Sequence, residues 1–341
     1  MNIYDIAKEA GVSISTVSRV LNKKGNVNAE TQQKVEEVLS RHQYVPSAIA
    51  RGMTGRSLRT VAILTVDIRV PHYARTAYTI EREFSRRGYD VTLCNTGGEA
   101  EETVRYLRSM LEKQVDGIVL VGSIFNTLGR EPEIKSMLKA VPVVLANGKL
   151  ELPNSYSVLV DDLYGVGLSV RHLYDEGRRE LYYLKDMDTD SAREKCKGFL
   201  EAAERYGIAR PKKRVIETAP SIDGGIAAVR KLLQKGAVFD AIVCGEDITA
   251  VGALKGLLQA GIKVPEQVAV TGYNNSAYAQ ICQPKLTTVD NKPELVAMLC
   301  VQLLSSLIEK TDVYSSGVIQ PELVIGDTSA VLKPEKYIGI W

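Results

Sequence analysis

No window of the 341-residue chain approaches 18 uninterrupted apolar residues, so nothing has the reach of a membrane-spanning helix. The opening MNIYDIAKEAG lacks a basic stretch followed by an apolar one, so no secretory signal is read there and a cytoplasmic chain is expected. Cysteine is scarce: Cys94, Cys196, Cys244, Cys282 and Cys300 are odd in number and scattered, with no CxxC pair. They read as buried thiols of a reducing compartment rather than a zinc or redox site. The GxxxxGK[ST] phosphate loop is absent, which removes the commonest NTPase reading. Histidine is limited to His42, His72 and His172, and no serine sits in GxSxG, so a Ser-His-Asp hydrolase has little support. His172 lies in an amphipathic segment and reads as structural. Gly165-Val-Gly167 lacks the third glycine of a dinucleotide loop. No catalytic residue, metal ligand or cofactor is therefore expected.

What is present is an ordinary soluble mixture, 45% apolar and 25% charged, long enough for two or three domains. The 43 basic and 41 acidic residues leave a net charge of only +2. That balance hides an asymmetry. Residues 1–60 carry nine Lys/Arg against five Asp/Glu, and the remainder 34 against 36. A basic end on a slightly acidic body points to nucleic acid.

The basic end is helical by pattern. Asn2 stands at an N-cap with Asp5 in the first turn, Ile3, Ile6, Ala7 and Ala10 recur at helical spacing, and Gly11 supplies a left-handed stop. Ser13 then caps a second helix, Ile14 to about Leu21, with Val17, Val20 and Leu21 inward. Asn28 caps a third, with Val35, Val38 and Leu39 apolar. Two short helices across a Gly-containing turn form a helix-turn-helix pattern. A plain helical bundle shares that spacing. The outer face of the second helix favours DNA: Arg19 can fork onto guanine, Ser15 is a short hydrogen-bonder and Ile14 suits a thymine methyl.

IYDIAKEAGVSISTVSRVLN closely resembles the opening of the LacI/GalR transcription regulators, usually close to DVAxxAGVSxxTVSRVLN, and the resemblance continues to about residue 330. It implies that Ile14 and Ser15 are the variable base-reading pair and Arg19 a base contact. Thr16, Ser18, Asn22 and Tyr44 would touch the DNA backbone or support the helix. VPSAIARGMTG resembles the family's hinge helix, usually PNxxARSL, with Ser47 for Asn, Gly52 for Ser and Met53 for Leu. Ala50 and Met53 would enter the minor groove, Met53 as an apolar wedge. Gly52 weakens such a helix by about 1 kcal/mol, and a short isolated helix is marginal, so this one is expected to order on DNA.

From Thr60 onward, near-continuous apolar runs at 61–66, 91–95, 116–122 and 141–147 alternate with amphipathic segments such as 79–88 and 104–113. The pattern repeats at 180–185, 214–217, 241–245 and 268–273. Strands buried on both faces and separated by helices predict parallel doubly wound sheets, and two such halves suit a ligand held outside the strand ends. The resemblance implies a periplasmic-binding-protein-like core crossed three times, near Asp161, Asp290 and Gln320. The expected division is a helix-turn-helix domain at 1–45, a hinge at 46–59, an effector-binding core at 60–330 and a tail at 331–341. The core would comprise 60–160 with 291–320, and 161–290 with 321–330.

By the same resemblance the effector positions are Arg69, Tyr73, Asn147, Asp161, Arg193, Lys195, Asp247, Asn274 and Asn291. Family sugar binders often have Arg at the place of Lys195, Asn-Asp at Glu246-Asp247 and Asp-Asp at Asn274-Asn275. Asn offers one acceptor and two donors where a carboxylate only accepts. With Arg69 added, this suits an anion such as a sugar phosphate, unless Arg69 and Lys195 merely pair with Glu246 or Asp247. The expectation is a homodimeric repressor of a pseudo-palindromic DNA operator, set allosterically by a sugar or sugar phosphate. The alternative is a cytoplasmic solute sensor with the same core and no transcriptional role.

Overall fold

The computed structural model describes residues 2–21, 27–42, 58–130, 132–312 and 317–330, and the chain divides into two compact units, 1–59 and 60–341. The first unit holds α1 (Ile3–Ala10), α2 (Ile14–Leu21) and α3 (Ala29–Arg41). Asn2 accepts from the amides of Tyr4 and Asp5, and Asp5 returns the bond to the Asn2 amide. This reciprocal cap satisfies donors that the first turn otherwise leaves free. Gly11, at φ 65°, ends α1 in the left-handed region, which a side chain would strain. Ile6, Ala7, Val17, Val20, Val35 and Val38 form the small core of this unit. Arg41 and His42 reach back to Glu9 at 3.1 and 2.8 Å, tying the end of α3 to α1.

The second unit is built on two six-stranded sheets. The first contains β1 (Thr60–Thr65), β2 (Asp90–Asn95), β3 (Gly117–Val121), β4 (Val143–Ala146), β5 (Ser155–Val160) and β11 (Val318–Ile319), in the order β11-β5-β4-β3-β1-β2. The second contains β6 (Leu181–Lys185), β7 (Val215–Glu217), β8 (Ala241–Cys244), β9 (Ala269–Tyr273), β10 (Thr287–Asp290) and β12 (Glu322–Val324), in the order β12-β10-β9-β8-β6-β7. Every pairing is parallel except β10 with β12.

Continuous apolar strands require cover on both faces, and helices provide it. α4 (Pro71–Arg86) and α12 (Pro293–Glu309) pack on one face of the first sheet through Ile80, Phe84, Val296, Val301 and Leu304. α5 (Ala100–Glu112) and α6 (Pro132–Leu138) pack on the other through Leu107, Met110, Ile134 and Leu138. On the second sheet, α7 (Asp162–Asp175) and α8 (Asp190–Arg205) cover one face, with Val170, Leu173, Phe199 and Ala203. α9 (Ile222–Gln234) and α10 (Asp247–Gln259) cover the other, with Val229, Leu232, Ala253 and Leu257. Burying each of the larger side chains among them contributes about 1.5–3 kcal/mol. A last short helix, α11 (Ala277–Ile281), follows β9.

The head of three helices and the two-sheet parallel core match the expected fold, and all eight strands read from apolar runs form. The four not read there have a common cause. β5 opens on Ser155-Tyr-Ser, β10 is Thr-Thr-Val-Asp, and β11 and β12 have two and three residues, too polar or too short for an apolar run. Gly165 lies inside α7, where a Cβ would stand 2.7 Å from the Tyr273 hydroxyl and 2.9 Å from Pro321. Close packing, not phosphate binding, explains that glycine. His172 is structural as expected, its Nε2 2.7 Å from the buried Ser329 hydroxyl.

Candidate DNA-reading helix and ligand cleft

In α2, Val17 and Val20 are buried in the small core while Ile14, Ser15 and Arg19 are exposed. Ser15 and Arg19 lie one helical turn apart and share a face. The Ser13 hydroxyl accepts from the Thr16 amide at 3.2 Å and lies 2.7 and 2.9 Å from the hydroxyls of Ser15 and Thr16. These contacts pin the helix start, whose partial positive charge suits a phosphate. Ser18 is half-buried and so sits at the edge of the outward face. Asn22, Tyr44, Ala50 and Met53 lie outside the described residues, as do Lys23, Lys24, Arg51 and Arg56, which carry the basic excess of this end.

In the core, residues just beyond the carboxyl ends of both sheets' strands enclose an inner chamber with about 60 Å³ of free space. Lys195 from α8 forms its floor and is 5% exposed. Its ammonium donates to the Gly245 carbonyl at 2.9 Å and to Glu246 Oε1 at 3.0 Å, and lies 4.0 Å from the Tyr273 ring centroid. Burial works to lower the lysine's pKa, but Glu246, Asp162 and Asp186 outweigh it and leave the pKa raised. Glu246 also accepts from the Asn274 amide, which in turn accepts from Asn291 Nδ2 at 2.9 Å. Asp162 takes the Tyr273 hydroxyl at 2.6 Å, the Ser191 hydroxyl at 2.5 Å and Asn147 Nδ2 at 3.2 Å. Asn147, at φ 52°, also accepts the Val160 amide at 3.1 Å.

His72 and Tyr73, at the start of α4, separate the inner chamber from an outer one of about 440 Å³. Their rings lie 3.9 Å apart, and burial pushes the His72 pKa down, keeping the ring neutral. The outer wall is mainly apolar, with Val66, Val70, Pro71, Met187 and Ile248.

The amino-terminal residues 2–47 match the family model for bacterial regulatory proteins of the lacI family, and 170–329 the model for a periplasmic binding protein-like domain. An HTH-type transcriptional regulator of Lachnoclostridium phytofermentans is 33% identical over 96% of this chain and 99% of its own. The chain belongs to the lacI family. It is therefore a DNA-binding transcriptional regulator with a ligand-binding core. The PurR repressor of Mannheimia succiniciproducens is 28% identical over 95% of this chain and 97% of its own. A lac repressor dimer solved with operator and the anti-inducer ONPF has the same fold, with a TM-score of 0.86 at 24% identity over 97% of this chain and 99% of its own.

For this lacI-family chain, the fold brings five of the nine expected effector residues into the inner chamber: Tyr73, Asn147, Lys195, Asn274 and Asn291. Four are corrected. Asp247 lies on the outer wall, where its carboxylate is taken by the Ser276 amide at 2.7 Å and the Thr288 hydroxyl at 2.5 Å. Arg69 stands on the outer rim with its side chain 88% exposed, forked onto Asp67. Arg193 is tied to Asp188 and Asp190 on the surface. Asp161 caps α7 through the Tyr164 amide and holds Gln320; its neighbour Asp162 turns toward the chamber network instead. The pairing of Lys195 with Glu246 is the alternative left open by sequence. It spends the only lysine or arginine among the described residues that line the inner chamber, which weighs against an anionic ligand.

Asp162, Asp186, Ser191 and His72 escaped sequence reasoning. Asp186 directly follows β6, and the rule that ligands lie beyond the carboxyl ends of parallel strands was enough to find it.

Proposed function

We propose that this regulator is a cytoplasmic homodimer that represses transcription by placing two α2 helices in successive major grooves of a pseudo-palindromic operator. Ile14, Ser15 and Arg19 read bases; Thr16, Ser18, Asn22 and Tyr44 contact or brace against the backbone; Ala50 and Met53 serve the minor groove. The observation that carries this reading is the outward Ser15–Arg19 face of a helix whose opposite face is fully packed. A small ligand in the core's cleft controls operator affinity and undergoes no reaction there. The chain crosses between the two sheets after β5, after β10 and between β11 and β12. Three linkers let the halves turn about the ligand, and a ligand that prefers one arrangement shifts the population. The division at 1–45, 46–59 and 60–330 follows from this reading.

The test is a selection of operator sequences from random DNA, followed by a salt series on the selected site. A palindromic consensus is expected, with affinity falling linearly in log salt. Recovery of no consensus rejects the reading.

A further inference from the structure

The inner chamber contains two buried acceptors that lack a well-formed hydrogen bond among the described residues. Asp186 is only 6% exposed, and the one donor that favours its charged form from a side chain other than lysine is the buried Thr249 hydroxyl, which makes no well-formed bond to Oδ2. The other Asp186 oxygen is held against Gly245, where a Cβ would stand 2.7 Å from Oδ1. The Oδ1 of Asn291 is likewise buried and unpartnered among the described residues. Asp186 and Asn291 both line the chamber. Ligand atoms that meet Asn291 Oδ1, or Asp186 once its proton has left, must be donors.

Charge narrows the choice further. The titratable groups in this part of the cleft come from several elements. Lys195, from α8, is already paired with Glu246, from the segment after β8. Asp162, on α7, is filled by three neutral donors. His72, from α4, is held neutral by burial. Tyr183 on β6 and Cys244 on β8 are pushed upward in pKa by burial and stay protonated. Asp247 on α10 is bonded to Ser276 and Thr288. Glu246, Asp162 and Asp186 thus face one spent ammonium. A buried carboxylate in that position takes up either a proton or a cation.

We propose that the effector is a small hydroxylated molecule bearing a protonated amine, and that its ammonium group docks on the Asp186 carboxylate. The inference rests on the cleft being the effector site. Burial first, then Glu246, pushes the Asp186 carboxyl up to about 7, so the empty cleft holds a proton where the ligand's ammonium will sit. Docking releases that proton. Affinity therefore rises with pH and levels off above about 7, as long as the amine itself stays protonated. Hydroxyls on the ligand meet Asn291 and the other amides, and the remainder extends past His72 toward the apolar outer wall.

The test uses the full chain and two matched series: glucamine, sorbitol and gluconate, and galactosamine, galactose and galacturonate. Binding is read by calorimetry and by thermal shift. The amine member of at least one series is expected to bind tenfold or more tightly than its hydroxyl counterpart, with the acid weakest. Asp186→Asn should reduce that preference to a few-fold or less. Because the variant could fold poorly, the wild-type chain provides a second readout: its amine affinity should approach a tenfold gain per pH unit below pH 6 and flatten above 7.5. Equal or tighter binding of the neutral or acidic members, no binding by any of the six, or a flat pH profile for the amine overturns the proposal. Operator binding by the same preparation separates this failure from failure of the regulator reading.

Discussion

The two units place function on opposite sides of their surfaces. In the head, the residues assigned to read DNA are exposed and the packing lies beneath them: Ser15 and Arg19 face out while Val17 and Val20 are buried. In the core, the groups assigned to the ligand are themselves interior, with Lys195 and Asp186 at 5% and 6% exposure. A reader of this kind can change specificity without touching stability. A sensor of this kind cannot, because the buried Lys195 is also the partner of Glu246. The head has the opposite weakness: among its described residues six buried side chains hold it together, so one lost contact is a large share of the total.

Substitutions break this comparison in order of size. Lys195→Met should be the most damaging, because it leaves Glu246 buried without its cation; losing one partner of a buried pair costs about 3–5 kcal/mol. Urea denaturation should show the core transition displaced, with hydrogen exchange in the head unchanged. Ile6→Ala, at a fully buried position, should cost about 2–5 kcal/mol. It should unfold the head and abolish operator binding, while ligand still raises the core's melting temperature. If ligand binding were lost too, the independence of the two units would be refuted. Arg19→Ala should leave both transitions in place within about 0.5 kcal/mol, yet weaken operator binding by about 1–3 kcal/mol, read by fluorescence anisotropy. A stability loss as large as the binding loss would mean that Arg19 braces the head rather than reads DNA.

The same contrast explains what could be read before the fold was known. Caps, glycine stops and helical spacing are local, so the head was legible down to Asn2, Gly11 and the outward Arg19. Strands such as 61–66 and 241–245 were equally plain, since burial on both faces writes a continuous apolar run. The cleft was not legible in this way. Whether Arg69 faces a ligand or folds onto Asp67 two residues away depends on a turn that no periodicity encodes. Asp161 and Asp162 differ by one helical position, and only the path of the crossover decides which one points inward. Lys195 and Glu246 are 51 residues apart, and their pairing became visible only when α8 was brought against the end of β8.

The smallest effect sharpens the comparison through pH. Asp186 and Asp247 both have carboxyls pushed up to about 7 by burial, against about 3.9 in an unfolded chain. Between those values the folded core binds more protons than the unfolded chain, so each group's contribution to stability falls as pH rises toward 7. His72 and His172 act in the other direction: burial lowers their pKa values, and their contribution is lost as pH drops below about 6.5. The raw melting curve of the core is therefore a compromise between the two. The difference between the wild-type chain and Asp186→Asn isolates one carboxyl. The variant should gain on the wild type by a few degrees as pH moves from 5 to 7.5, with no matching change in the head, which has no such buried acid among its described residues. A difference that is flat with pH would show that Asp186 is already ionised and compensated in the free protein. The inner chamber would then hold no proton for a ligand to displace.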